Sequence, residues 1–374
     1  MKRTIACVVG ARPNFVKMGP ILASLARVAP DLHAVLIHTG QHYDEVMSDL
    51  FFRQLGLPDP DVHLEVGSGT QGQQTARILT RYEEWLLKTE PRPAATLVVG
   101  DVTSTLACGL ASVKLGVPLI HVEAGLRSFD RTMPEEINRV VTDAIADLLL
   151  VSEPSGLDNL RREGHPESSM CMVGNVMIDV LRAELPIARD LKQPEKMGLA
   201  AGAFALWTMH RPSNVDDPKA LSEIVAALIR IAARLPIVFP AHPRSRARLE
   251  AAGLWSTLAD APSVVLSQPL GYLEFLSLSS QARLIVTDSG GLQEESTVLG
   301  IPCLTLRENT ERPITVSQGT STLVGRDVKL LERLVDEILA GRYKHGSSPD
   351  HWDGRAGDRI AEAVARFLGV TTAP

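Results

Sequence analysis

Short apolar segments alternate with amphipathic segments along most of the chain, and this alternation restricts the fold more than any other feature. A strand, a helix and a second strand in succession give parallel pairing, because the helix returns the chain to the edge where the first strand began. The pattern therefore predicts parallel sheets with helices on both faces. In the first half it predicts strands at 4–9, 33–38, 95–99, 118–122, 148–151 and 170–173, and helices at 44–55, 71–89, 104–114, 134–146 and 155–163.

A second alternating series occupies the other half, with strands predicted at 204–208, 236–239, 264–266, 284–287 and 302–306 and a helix at 217–235. One hydrophobic core rarely serves 374 residues, so we predict two domains, 1–173 and 174–354. The boundary lies ahead of a polar stretch, 184–203, that has no clear period. A last helix, about 355–374, is predicted to pack back on the first domain. Pro20 is expected to kink the first helix or shorten its opening turns.

The predicted fold class is α/β, with two Rossmann-like parallel-sheet domains facing across a cleft. Composition excludes several functions. The formal charge of -6 and the lack of basic runs argue against a nucleic-acid partner. No apolar stretch is long enough to span a bilayer, which argues against a membrane partner. The four cysteines are scattered, as expected for reduced thiols in a cytoplasmic protein, and no residue cluster has the spacing of a metal site.

Charged side chains follow the predicted strands of the first half. Asp101 and Glu123 come at the carboxyl ends of two strands, where open α/β sheets carry their chemistry. Asp101 could instead cap the next helix. Glu123 is a poor cap and is costly to bury, which favours a role in a site. Glu135 could belong to the site, or it could equally be a first-turn residue whose charge complements the helix dipole. Arg12 and Lys17 oppose the dipole of the first helix, which favours a contact with a diphosphate over mere solvation.

Positively charged side chains and a glycine pair follow the strands of the second half. His210 and Arg211 come after its first strand and could neutralise a phosphate; His242 has a similar place. Ser289 and Gly290 stand between a strand and a helix, where backbone amides and the helix N-terminus can hold phosphate. One turn further, Glu295 could reach ribose hydroxyls. Arg312 is a candidate for a remaining phosphate or sugar contact.

Several motifs, in this order and spacing, resemble those of the non-hydrolysing UDP-N-acetylglucosamine 2-epimerases, a family with the two-domain architecture of GT-B glycosyltransferases. The motifs are Gly-Ala-Arg-Pro13, Thr-Gly-Gln-His42, Gly-Asp101, His-Val-Glu-Ala-Gly-Leu-Arg127, Pro-Glu-Glu-Ile-Asn-Arg139, Val-Gly-Asn175, His-Arg211, Asp-Ser-Gly-Gly-Leu-Gln-Glu-Glu295 and Thr-Glu-Arg-Pro313. The resemblance implies reversible conversion of UDP-N-acetylglucosamine to UDP-N-acetylmannosamine without a cofactor, in a homodimer.

The resemblance also implies roles for particular residues. It implies that the carboxylates Asp101, Glu123 and Glu135 are the general acid and base groups and that His210 supports the diphosphate. The implied substrate contacts are Arg12, Lys17, Phe275, Ser289, Gly290, Glu295 and Arg312. Some bacterial members bind a second UDP-N-acetylglucosamine as activator, and the residues that match parts of that set are Gln41, His42, Arg77, Arg211 and His242. This sequence departs from the set at Tyr43, where arginine is often found.

Three alternatives stay open. A hydrolysing epimerase would release free N-acetylmannosamine and UDP. A GT-B glycosyltransferase would place an acceptor in the cleft, although no membrane-docking patch is evident. A nucleotide-sugar-binding regulator without catalysis would not need so many ionisable groups at strand ends.

Overall fold

The computed structural model describes residues 3–40 and 58–373, except for the side chains at positions 12 and 13. The described chain forms two compact units. Unit 1 comprises Met1–Val180 and Asp350–Pro374, and unit 2 comprises Leu181–Pro349. The predicted helix at 44–55 lies outside the described residues.

Unit 1 is built on a parallel sheet of seven strands in the described residues. These strands are β1 (Arg3–Val9), β2 (Leu32–His38), β3 (Val62–His63), β4 (Ala95–Val99), β5 (Leu119–Ala124), β6 (Leu148–Val151) and β7 (Met170–Met172). Their order is β3-β2-β1-β4-β5-β6-β7, and every pairing is parallel. The order reverses between β1 and β4. Such a switch point leaves a crevice beside the carboxyl ends of those two strands, where ligands of this fold class bind.

Helices follow the strands and cover the sheet of unit 1. They are α1 (Arg12–Val28), α2 (Gln71–Lys88), α3 (Thr103–Lys114), α4 (Pro134–Ile145) and α5 (Pro154–Arg162), with a short 3-10 turn at Glu167–Ser169; α6 (Val176–Asp190) leads into unit 2. All of β4 is buried, since helices cover both faces of the sheet. The expected shortening at Pro20 is wrong: α1 continues from Arg12 through Pro20, because one missing amide donor removes a single bond of a long, well-packed helix.

Unit 2 repeats the plan with six parallel strands in the order β10-β9-β8-β11-β12-β13. They are β8 (Ala205–Trp207), β9 (Ile237–Pro240), β10 (Val264–Ser267), β11 (Leu284–Thr287), β12 (Cys303–Thr305) and β13 (Ser321–Leu323). Its helices are α7 (Gln193–Lys196), α8 (Pro212–Val215), α9 (Pro218–Ala232), α10 (Pro243–Ala251), α11 (Leu254–Ala259), α12 (Tyr272–Ser279), α13 (Gly290–Leu299), α14 (Ile314–Ser317) and α15 (Val328–Leu339). The switch point of this sheet lies between β8 and β11.

The stretch 184–203, which shows no clear period, is helical over its first part. α6 runs through Pro186 to Asp190, and its apolar residues Val180, Leu181 and Ala188 are buried. Burial of these side chains stabilises a helix that its polar sequence alone does not indicate. The last helix, α16 (Ala356–Phe367), packs against α1 within unit 1.

The predicted strands of both halves are confirmed to within two residues at each end, and so is the predicted class of two parallel α/β sheets. Within residues 3–40 and 58–373, each helix falls short of the length and apolar character that a membrane crossing requires.

Candidate active site

The carboxyl edge of unit 1 brings together Lys17, Gly100 and Glu123. Lys17 extends from the first turns of α1, and its Nζ lies 2.5 Å from Oε2 of Glu123. Gly100 follows β4 with a φ of 68°, and a Cβ atom there would lie 3.3 Å from the same Oε2 and 3.6 Å from the Lys17 Nζ. The left-handed backbone and the closeness of this ion pair therefore both favour glycine at this position.

Glu123 has an unusual backbone conformation. Its φ is 68°, and the register between β5 and β6 shifts at Val122 and Ala124, which marks a bulge. A left-handed conformation is costly for a long side chain, and bulges near active sites redirect side chains. Only 4% of the Glu123 surface is exposed, so the carboxylate and the Lys17 ammonium form a buried pair.

Asp101 lies directly after Gly100 and is held by α4. Its Oδ2 accepts a hydrogen bond from Nη2 of Arg139 at 2.5 Å, and its carbonyl accepts one from Nδ2 of Asn138 at 2.7 Å. The helix that follows, α3, has Val102 as its N-cap residue and no side-chain cap. The alternative interpretation of Asp101 as a helix cap is therefore wrong, because its carboxylate binds Arg139 instead.

The two glutamates that open α4 differ in environment. Glu135 is exposed, and its side chain has no hydrogen bond or ion pair to any other described residue. Glu136 is only 2% exposed; it accepts hydrogen bonds from the amides of Ser128 and Phe129 at 2.9 Å and lies 2.8 Å from Nη1 of Arg139. These bonds hold Phe129 at a φ of 59° with 71% of its surface exposed.

A buried network connects β5 to α4. His121 contacts Oδ1 of Asp143 through Nδ1 at 2.6 Å and the carbonyl of Gly100 through Nε2 at 2.8 Å. The other Asp143 oxygen accepts from the Gly125 amide at 3.0 Å and pairs with Arg127 at 2.7 Å. Burial alone would raise the pKa of Asp143, but the charge and hydrogen bond of His121, the charge of Arg127 and the Gly125 amide hold that pKa below its usual value.

Asp288, which precedes the glycine pair of unit 2, organises the loop that follows β8. It accepts hydrogen bonds from the backbone amides of His210 and Arg211 at 2.9 Å, from Nδ2 of Asn214 at 3.0 Å, and lies 3.0 Å from Nδ1 of His210. Burial would raise the pKa of Asp288, yet the bonds from His210, the Arg211 amide and Asn214 hold it below the usual value. His210 itself remains partly exposed at the edge of the sheet.

The first turn of α13 lies beside this loop. Ser289 is its N-cap residue; the Ser289 amide binds Oγ1 of Thr287 at 2.9 Å, and its side chain caps no amide of the helix. The amides of Gly290 and Gly291 come next, and first-turn amides have no acceptor inside a helix. Since the N-terminus also carries partial positive charge, this turn can hold an anion.

Further along α13 and α12 lie the residues predicted to contact a nucleoside. Glu295 is buried and lies 3.4 Å from the hydroxyl of Tyr272; burial and the neighbouring charge of Glu294 raise the pKa of Glu295 to about 7. Arg312 forms a buried ion pair with Glu294. Phe275 is half-buried on α12 and packs against the core of unit 2.

Two of the five residues of the possible activator set, Arg211 and His242, lie in unit 2, both beside His210. The rings of His210 and His242 are 5.4 Å apart, and Nε of Arg211 donates to the Asp288 carbonyl at 3.1 Å. Burial and the adjacent His210 lower the pKa of His242. Arg77 lies in unit 1, on α2, where it donates to the carbonyl of Ser68 at 3.1 Å. Gln41 and His42 lie outside the described residues, as does the side chain of Arg12.

The motifs contain further charged residues that sequence reasoning did not assign. Arg139 and Glu136 occur one helical turn apart in the Pro134–Arg139 motif, a spacing that indicates contact. Asp288 directly follows a strand, which is the same signal that identified Asp101. Arg307, two residues after β12, pairs with Glu311 at 2.7 Å, and a Cβ atom on Gly290 would lie 3.3 Å from that Glu311 carboxylate. In the described part of the chain, no three His, Cys, Asp or Glu side chains are grouped to hold a metal ion.

Two doubly wound parallel sheets, with carboxylates at the strand ends of one and a glycine-rich helix N-terminus in the other, define an α/β fold of the GT-B-like class. Residues 26–365 match the family model described as UDP-N-acetylglucosamine 2-epimerase. The chain therefore belongs to the UDP-N-acetylglucosamine 2-epimerase family, as its motifs predict.

Relatives and a solved structure agree with this assignment. The UDP-N-acetylglucosamine 2-epimerase of Methanocaldococcus jannaschii is 40% identical, with 96% of this chain and 98% of the relative covered. The UDP-2,3-diacetamido-2,3-dideoxy-D-glucuronate 2-epimerase of Pseudomonas aeruginosa is also 40% identical, with 97% and 99% covered. The crystal structure of the M. jannaschii enzyme in complex with UDP-GlcNAc and UDP has a TM-score of 0.86 and 39% identity, with 97% of this chain and 99% of that chain covered.

Proposed function

We propose that this protein catalyses the reversible C2 epimerisation of UDP-N-acetylglucosamine to UDP-N-acetylmannosamine. The reaction eliminates UDP, passes through 2-acetamidoglucal and adds UDP again, without a cofactor. The observation that carries the proposal is the pair of carboxylates, Asp101 and Glu123, at the ends of two adjacent strands, each in contact with a cation, in a chain of this family.

The chemistry of the substrate explains why a pair of carboxylates is needed. The proton on C2 of an N-acetylhexosamine is barely acidic, so a carboxylate cannot simply remove it and return it to the other face. If the C1–O bond breaks as the proton leaves, the electron pair of the C2–H bond forms the C1–C2 double bond and UDP departs with the C1–O pair. UDP then adds back to C1 while a proton is delivered to the opposite face of C2.

In this mechanism unit 1 supplies the acid and base groups. Asp101, Glu123 and Glu135 are the candidates, and Lys17, which is paired with Glu123, is proposed to take part in holding the diphosphate. Glu135 is exposed and its side chain contacts no partner among the residues that the structure describes, which leaves its carboxylate available to a ligand. Arg12, in the first turn of α1, is proposed as a further diphosphate contact.

Unit 2 supplies the groups that stabilise the departing UDP. The amides at the N-terminus of α13, with Ser289 and Gly290, would donate hydrogen bonds to phosphate oxygens, and His210 would add a further hydrogen-bond donor. Glu295 is proposed to accept hydrogen bonds from the ribose hydroxyls, and Phe275 is proposed to contact the nucleobase. Arg312 is proposed to contact a phosphate or the sugar.

A second substrate is favoured by one observation. The Pseudomonas relative, whose name specifies a 2,3-diacetamido-glucuronate substrate, is as similar to this chain as the archaeal epimerase. Both substrates present the same C2 acetamido group and the same UDP leaving group, so the mechanism above serves either. Comparing kcat/KM for the two UDP-sugars would identify the preferred one.

Proton NMR of the purified protein with UDP-N-acetylglucosamine in heavy water tests the proposed reaction. We expect deuterium at C2 and a new anomeric signal of the manno epimer, still attached to UDP. Accumulation of free N-acetylmannosamine would instead identify a hydrolysing epimerase. If C2 retained its proton while the protein bound UDP, the epimerase proposal would be refuted.

We also propose a homodimer, which light scattering after size exclusion would test. Activation by a second UDP-N-acetylglucosamine is proposed for the set containing Arg211 and His242. The rate curve at low substrate tests it, because a strictly hyperbolic curve that added activator does not change would contradict activation.

A further inference from the structure

The structure assigns to Arg139 the task of orienting Asp101. We infer that its guanidinium fixes one carboxylate oxygen, Oδ2, and leaves Oδ1 as the oxygen that meets the sugar. The inference rests on the proposed epimerase function, in which Asp101 is an acid/base group. It gives a role to a residue of the Pro134–Arg139 motif that the mechanism above does not use.

The contacts of Asp101 are asymmetric. Nη2 of Arg139 lies 2.5 Å from Oδ2, whereas Oδ1 has no hydrogen-bond partner among the described residues. The Asp101 side chain is 29% exposed, while that of Arg139 is 4% exposed. Arg139 therefore holds Asp101 from the protein side, and the second oxygen stays accessible to a ligand.

Arg139 is itself fixed by a buried partner. Its Nη1 lies 2.8 Å from Oε2 of Glu136, which precedes it by one turn of α4. Glu136 in turn accepts the amides of Ser128 and Phe129. The planar guanidinium binds two carboxylates at once through different nitrogens, in a fixed relative direction. A lysine ammonium, being a single point of charge on a flexible chain, would not fix that direction.

The peptide groups on either side of the Asp101 Cα atom are held as well. His121 contacts the Gly100 carbonyl at 2.8 Å, and Asn138 donates to the Asp101 carbonyl at 2.7 Å. Because these two contacts fix the backbone of Asp101, the direction of its carboxylate depends on Arg139. A displacement of about 1 Å at a reacting group lowers a rate by roughly 100-fold, so this orientation has a large kinetic effect.

Four variants test the role of Arg139: Arg139→Met, Arg139→Lys, the double variant Glu136→Gln/Arg139→Met, and Arg359→Met as matched control. In the single variant Arg139→Met, Glu136 stays buried without its positive partner, which can unfold the protein. The double variant removes both charges and so avoids this cost. Like Arg139, Arg359 has a carboxylate partner, Asp353. It also contacts a backbone carbonyl of unit 1, and among the described residues it contacts none of the candidate site. For each variant, kcat, KM and the Kd for UDP are measured and corrected for the folded fraction from circular dichroism.

We expect the two Arg139→Met variants to lower kcat by roughly 100-fold while KM and the Kd for UDP change by less than about threefold. Arg139→Lys should recover part of the loss, and Arg359→Met should keep the wild-type kcat per folded molecule. Equal kcat in wild type and the folded Arg139 variants, or equal losses in the Arg139 and Arg359 variants, would overturn the inference. If wild type itself did not epimerise UDP-sugars, the proposed function would fail first, so the two failures are distinguishable.

Discussion

Glu295 leads to a testable prediction about stability and pH. Its carboxyl group is buried on α13 beside Glu294, and its pKa is raised from 4.5 to about 7. Between those values the folded protein keeps a proton that the unfolded chain releases. A group that binds its proton more tightly in the folded state loses stabilising effect as pH rises, so the free energy of unfolding should fall through this window.

The size of the effect follows from the same two values. A tenfold change in an equilibrium constant is worth about 1.4 kcal/mol, so the difference between 4.5 and about 7 corresponds to roughly 3 kcal/mol. Glu295→Gln removes the titrating group and keeps the shape of the side chain. The stability of this variant relative to wild type should therefore increase by up to about 3 kcal/mol from about pH 5 to about pH 8 and then level off.

Hydrogen exchange measured by mass spectrometry on peptides from β11 and α13 reports the opening of unit 2 alone. The free energies of opening are compared at several pH values after correction for intrinsic exchange rates. Tyr272→Phe is the control, because it removes the hydrogen bond to Glu295 but leaves the carboxyl buried, so the pH dependence should persist. Parallel pH profiles for wild type and Glu295→Gln would refute the reasoning.

Three further predictions concern activity. Asp101→Asn, Glu123→Gln and Glu135→Gln should each lower kcat by on the order of 10²- to 10⁴-fold in steady-state assays, and near wild-type turnover in all three would remove the acid/base assignment. Gly100→Ala should lower both the melting temperature and kcat, since alanine is strained at a φ of 68° and its Cβ would crowd Glu123; unchanged values of both would contradict this. Arg312→Ala should raise KM, and an unaltered KM would show that its role is misassigned.

Much of the fold could be predicted because the strands are apolar runs between turn residues. β11 was located without error, and β4 and β6 likewise, since helices cover both faces of these strands and leave little room for polar residues. Where the structure departs from the sequence prediction, tertiary packing is the reason. α6 continues through Pro186 because its apolar side chains are buried, a fact that the period of a polar stretch does not convey.

The candidate site was only partly predictable, for a physical reason. A carboxylate after a buried strand is visible in sequence, as Asp101 and Glu123 show. The partner that holds it comes from another element, and no local spacing links Arg139 to Asp101 or Lys17 to Glu123. The bulge that gives Glu123 its left-handed backbone also leaves no sequence signature, because glutamate is not a residue that usually adopts this conformation.

Phe129 suggests how this protein would respond to laboratory evolution. It combines a left-handed backbone with a large apolar surface open to water, so glycine or asparagine would relieve roughly 1 kcal/mol of strain and forfeit almost no packing. Selection for heat resistance alone should therefore replace it early. Retention of phenylalanine in a thermostability screen would contradict this account of its conformation. Replacement accompanied by slower turnover would show that the ring is kept for the reaction rather than for folding.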